Sequence, residues 1–252
     1  MRISKYLLTL LVLAFTTSGA FANPQNFVSA ISSNEINIDS NFNGKTILLF
    51  GAKSSAGKLI IAIRGPQKDF LVTKKDKLFG IWHNSKRLRF KDASSYYAIF
   101  STFDDNIISN DLLKKFNLGT DNLLFETIKN KSINNEEKIN FTYELVKNLK
   151  SENLYSKGTG RINFLDETLF KIDLEFPKNI SQGAYSVDLY FINEGTLESF
   201  QTIPIYVNQI GLSAKISRAA YESSFFYGIL SVILALLIGW IANYVFNRFI
   251  GK

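Results

Sequence analysis

The sequence predicts a mainly β fold: an antiparallel β-sandwich of immunoglobulin-like type, interrupted by a helical insert and followed by one C-terminal transmembrane helix. Three observations predict it. Short β-branched and aromatic runs, separated by Gly, Asn, Asp or Lys turns, fill both halves of the chain. Helical spacing replaces them only around residues 105–150. Residues 223–247 contain no charge at all.

Taken in order, strands are expected at 36–39, 46–52, 58–65, 69–75, 79–84, 87–91 and 96–102. Asn110 is placed to cap a helix that stops at Gly119, read as its C′ glycine. A second helix starts behind Asn134, three residues before Glu137, the spacing of a capping arrangement. Phe141, Leu145 and Leu149 then recur at intervals of four. The late strands alternate cleanly. Phe170, Ile172, Leu174 and Phe176 are interleaved with Lys171, Asp173 and Glu175, and Tyr185, Val187, Leu189 and Phe191 with Ser186, Asp188 and Tyr190. Such period-two alternation puts one face in the core and one in water. Residues 192–195 read as a hairpin turn, and Pro204 argues for an edge position in strand 202–207. The exported body is preferred as one interrupted domain over two small sandwiches.

The ends set the topology. Arg2 and Lys5 precede the apolar run 6–15 and the small-residue pattern Ala20-Phe21-Ala22, so residues 1–22 read as a cleaved export signal. The predicted organisation is then a body over 23–217, a juxtamembrane segment 218–224, a span 225–247 and a tail 248–252. Aromatic residues stand at both ends of the span, and Arg248 and Lys252 follow it, which places the tail in the cytoplasm and the body in the periplasm.

Of the 29 basic residues two fall in the leader, leaving 27 against 22 acidic, a net of +5 with no long block of like charge. Nucleic acid is therefore not expected as a partner of the exported chain, whereas the lipid bilayer is. The absence of cysteine excludes disulfides, thiol catalysis and thiolate zinc sites.

The stretches ILLFGAK (47–53), IRGPQKDFLVTKKDKLFGIWHN (63–84) and YYAIFST (96–102), with residues 152–195 and 221–249, resemble in order and spacing a family of transmembrane proteins known mainly from alphaproteobacteria. The elements Phe50-Gly51, Arg64-Gly65-Pro66, Gly80-Ile81-Trp82, Leu169-Phe170 and Gly239-Trp240 carry it most specifically. The resemblance implies an exported β-rich body, one C-terminal span and no assigned activity. Family members are often encoded beside permeases of the sulfite-exporter type, which implies a membrane transporter as partner. The chain departs from the usual pattern at Ser94-Ser95-Tyr96, where a proline commonly precedes the tyrosine.

Candidate sites are few. Gly51 to Lys58 glances at a phosphate loop, but five residues separate its glycines and Leu59 follows the lysine, so the motif fails. Any Ser-His-Asp arrangement or histidine metal site would have to use His83, the only histidine; no catalytic residue, metal or cofactor is expected, and the protein is read as non-enzymatic. Arg64, Lys74, Lys75 and His83 could together form a basic patch for an anion, or Lys74 to Lys77 could be a solvated hairpin tip with Trp82 packed inward. In the span, Gly228, Ser231, Ala235, Gly239 and Ala242 share one helical face, with Asn243 beside it, an arrangement suited to helix–helix association with a transporter or a second copy. Two functions follow: an accessory or interaction module for a membrane anion transporter, or a membrane-tethered module that binds an anionic solute.

Overall fold

The computed structural model describes residues 26–54, 56–102, 110–128 and 133–249. The expected export signal at 1–22 lies outside the described residues. The early strands are β1 (Phe27–Ile31), β2 (Glu35–Ile38), β3 (Lys45–Lys53), β4 (Lys58–Arg64), β5 (Gln67–Leu78), β6 (Ile81–Ser94) and β7 (Tyr97–Ser101). After them come α1 (Asn110–Lys115), β8 (Glu126–Thr127), α2 (Asn135–Ser151), β9 (Gly160–Arg161) and β10 (Asn163–Phe164). The late strands β11 (Leu169–Phe176), β12 (Gly183–Asn193) and β13 (Thr196–Gln209) lead into α3 (Gly211–Glu222) and α4 (Ser224–Phe249).

Early and late strands share both main sheets. One sheet has the order β1-β3-β11-β10 and the other β2-β13-β12-β4-β7-β9. Pairings such as Ile47↔Leu174 and Ile61↔Leu189 therefore interleave the two halves of the chain. The sheets meet through rings: Phe27 lies 6.1 Å from Phe191, and Phe176 lies 5.7 Å from Tyr185 in an edge-on arrangement. Strand β11 alternates buried and exposed over its whole length, as its sequence predicts. Pro204 sits where only β12 flanks β13, because β2 joins that strand from Tyr206 onward.

Strand β12 departs from expectation. The alternation of the sequence places Asp188 and Tyr190 on a wet face, yet both are buried. The helical insert covers that face. The Phe116 ring packs 5.4 Å from Tyr190, and the Gly119 N–H donates to the Tyr97 hydroxyl at 2.7 Å. Burial pushes the Tyr97 phenol up to about 12, despite that amide and the Arg64 guanidinium. Helix α1 closes at Asn117, in left-handed conformation, with Leu118 N–H donating to Leu113 O and Asn117 N–H to Lys114 O. These two bonds make a Schellman motif, so Asn117 holds the C′ position read from sequence as Gly119. Helix α2 follows its sequence signals: Asn134 and Glu137 form a reciprocal capping box, and Phe141, Leu145 and Leu149 face the core.

The three strands expected at 69–75, 79–84 and 87–91 are two long ones. Strand β5 pairs with β6 from Gln67↔Ser94 out to Leu78↔Ile81. Arg64-Gly65-Pro66 carries the chain straight on from β4 into β5. Gly65 N–H donates to Tyr96 O at 2.8 Å and Ser95 N–H to Pro66 O at 2.9 Å, so pairing continues from β4–β7 into β5–β6. The result is one antiparallel ribbon whose first part belongs to the six-stranded sheet and whose remainder forms an arm.

Candidate functional site

The arm is braced along its inner half. Leu88 and Phe90 are buried, Phe90 meets Phe125 edge-on at 6.0 Å, and β8 adds two pairs to β6 at Phe90↔Thr127 and Lys91↔Glu126. Lys86 forms an ion pair with Glu137 of α2. The Lys86 ammonium, with the Asn134 N–H, holds the Glu137 carboxyl below its usual range.

Beyond Lys74 the arm projects. Its turn is the two-residue loop Phe79-Gly80, with φ of 48° and 82°, the left-handed pair of a type I′ hairpin. The tip is therefore at Phe79, not at the lysines as expected from sequence. Leu78 is 58%, Phe79 97%, Ile81 73% and Trp82 62% exposed, so Trp82 does not pack inward. Lys77 places its ammonium 4.8 Å over the Trp82 ring. From Lys74 to Arg87 the ribbon carries five Lys or Arg against one Asp.

Of the residues expected to form an anion patch, Lys74, Lys75 and His83 share the outer ribbon, whereas Arg64 stands apart from them. Arg64 lies at the root of the arm, where it pairs with buried Asp188. Its second nitrogen donates to Phe116 O at 3.1 Å, at the C-terminal end of α1. Tyr190 and Asp188 raise the guanidinium pKa against the lowering effect of burial. Asp188 also accepts from Ser186 Oγ at 3.2 Å and Thr202 Oγ1 at 2.9 Å. Arg64 is thus a clip between insert and sheet. Lys74 and Lys75 stand about 30 Å further along the strand at a rise of about 3.3 Å per residue. Lys74 pairs with Asp76 at 3.5 Å and borders a cleft of about 310 Å³ that Glu137 and Glu144 also line. His83 faces Asp76 across the ribbon. Among the described residues no group of three His, Asp or Glu could hold a metal ion.

The second candidate surface is α4. Its segment Ser224–Arg248 is long and apolar enough to cross a membrane, about 37 Å at 1.5 Å per residue against a core of about 30 Å. Trp240 stacks on Tyr244 near one end, and Phe225 and Phe226 stand at the other. Gly228 and Gly239 open onto free space, since a Cβ at either would meet nothing within 4 Å. Ser231 Oγ donates to Tyr227 O at 2.8 Å and Asn243 Oδ1 accepts from Asn247 at 3.1 Å, so both polar groups have partners inside the helix.

With a single membrane-length helix among the described residues behind a β body, the comparison with known families is decisive. The family described as "Putative transmembrane protein (Alph_Pro_TM)" matches residues 26–248. The chain belongs to this family. The match takes in body, arm and span together, so the arm is not an appendage outside the family's extent. No curated protein matches the chain.

In sequence, residues 63–84 stand out by their charge, whereas what distinguishes them in space is the apolar tip. One signal was available: Phe79-Gly80 is a two-residue hairpin loop in which glycine takes one of two left-handed positions.

Proposed function

We propose that this family member is a non-enzymatic interaction module held at the membrane surface. Its β body and arm lie on the exported, periplasmic side and its C-terminal tail in the cytoplasm. The arm is the observation that carries the reading. Folding normally hides large apolar groups, yet this ribbon is braced at its base and presents Phe79 and Trp82 at its free end. A catalytic site would instead need acid–base groups converging on one point. Arg248, directly after the span, supports a cytoplasmic tail. Strand order supports an immunoglobulin-like body. In chain order, β1-β3-β11-β10 and β13-β12-β4-β7 correspond to the A-B-E-D and G-F-C-C′ sheets of that sandwich, with the arm filling the C–C′ connection.

The membrane-embedded contact we propose is between the small-residue face of α4, from Gly228 to Ala242, and a helix of a transporter of the sulfite-exporter type. The open space at Gly228 and Gly239 supports close approach of a second backbone. The test is purification of the full chain in mild detergent, comparing wild type with Gly239→Ile. A permease of that type should accompany the wild type and be lost, about tenfold or more, from the variant, the loss expected when a tight helix crossing is blocked. A wild-type chain that arrives alone contradicts the reading. A homodimer that Gly239→Ile dissolves would assign the face to self-association instead.

A further inference from the structure

We propose that the tip of the arm, Leu78 to Trp82, seats in the interface of the anionic bilayer that the chain's own helix α4 crosses. The inference rests on the reading of the arm as the working surface and names what that surface meets.

Strand direction carries it first. Both β4 and β13 pair antiparallel with β12, one on each side, so they run the same way. Strand β4 delivers the arm and β13 delivers α3 and α4, so both leave the sheet from the same end. Their roots are two strand spacings apart, about 10 Å. The Gly183 backbone at the start of β12 is so close to Pro66 that a Cβ there would meet the proline ring at 2.9 Å. From that common end β5 extends twelve residues, about 40 Å, while α3 takes the chain about 18 Å before the span begins. The arm is long enough to reach the level at which α4 enters the membrane.

Tip chemistry carries it further. Among the side chains of Leu78, Phe79, Ile81 and Trp82 the only hydrogen-bonding group is the indole N–H. A protein groove is met with directional polar contacts around an apolar anchor, whereas a lipid interface takes an apolar, aromatic wedge without them. Behind the wedge stand Lys77 and Lys75 as cations for anionic head groups, with Asp76 between them taken up by Lys74. Phe79 adds a conformational argument. Its φ of 48° suits Asn or Gly, yet the position holds a large ring that touches little of the protein. The residue is explained by what lies outside the fold.

The test uses the full chain with Trp240→Phe, which leaves Trp82 as the sole tryptophan of the two. It is reconstituted in vesicles of phosphatidylcholine with phosphatidylglycerol, and in phosphatidylcholine alone, with acyl-chain-brominated lipid as quencher. In the anionic vesicles Trp82 emission should be blue-shifted, quenched by brominated lipid and shielded from aqueous acrylamide. Phosphatidylcholine alone, and the variant Lys75→Glu with Lys77→Glu, should lower that quenching about threefold or more, each lysine adding appreciably to attraction by an anionic surface. Phe79→Asn, which suits the turn, should lower it with the ribbon intact. Trp82 open to acrylamide in both vesicle types overturns the proposal. Shielding without bromolipid quenching also overturns it and assigns the tip to a protein. Quenching that is equal in both lipid compositions removes the anionic requirement and with it the proposal as stated. None of these outcomes depends on whether a permease co-purifies, so failure here is separate from failure of the interaction reading.

Discussion

Removing the Arg64 guanidinium would leave the Asp188 carboxylate inside the six-stranded sheet with only the hydroxyls of Ser186 and Thr202. A buried charge stripped of its partner is among the costlier single lesions, about 3 kcal/mol. Arg64→Ala is therefore expected to lower unfolding stability by about that amount in a urea titration. Arg64→Met combined with Asp188→Leu should recover most of the loss, since an apolar pair of similar volume carries no desolvation penalty. If Arg64→Ala left stability unchanged, the clip between insert and sheet would be wrong. Phe79 is the opposite kind of residue. Arg64 is engaged by Asp188, Tyr190 and the Phe116 carbonyl, while Phe79 projects from a left-handed turn with almost no contact at all. One is explained by stability and the other is not, and that contrast separates scaffold from working surface in this molecule.

At the scale of elements, the inner half of the arm meets α2 through the Lys86–Glu137 ion pair. Glu137 has its carboxyl depressed by the Lys86 ammonium and the Asn134 N–H. A depressed carboxyl contributes stability that is fully present above its unfolded value, about 4.3, and is lost as pH falls through the lower folded value. The arm should therefore loosen from α2 only in acid. Hydrogen exchange at the β5 and β6 amides, normalised to intrinsic rates, should quicken relative to the core as pH drops below about 4. Glu137→Gln should show the quicker exchange already at neutral pH and lose the acid step. An acid step that persists in that variant would place the titration elsewhere. These elements also show what a sequence can reveal. The capping box at Asn134 and Glu137, the stripe Phe141, Leu145 and Leu149, and the alternation of β11 were legible because each depends on neighbours a few residues away. Burial of Asp188 and Tyr190 was not, because the cover comes from Phe116, more than seventy residues earlier. The arm was misread for a related reason. Period-two alternation appears only where one face is buried, and the outer ribbon buries neither, so its polar clusters at Lys74–Lys77 and Asn84–Lys86 looked like turns.

For the whole molecule, the interleaved sheets fix two exits at one end, the arm and the membrane helix, and place the β12–β13 turn at Glu194-Gly195 at the other. The basic patch of the sequence reading separates in space, with Arg64 consumed at the root and Lys74, Lys75 and His83 on the projecting ribbon. The span was readable because a membrane-length helix announces itself by length and lack of charge alone. What the sheets accomplish together is to aim the exposed tip from the anchored end of the body. The most direct measurement is photo-crosslinking in native membranes from two positions of the full chain, Phe79 at the arm tip and Glu194 at the far turn, each replaced by a photoreactive residue. The account predicts adducts to lipid or membrane protein from position 79 and reaction with water alone from position 194. Equal behaviour at the two positions would contradict it.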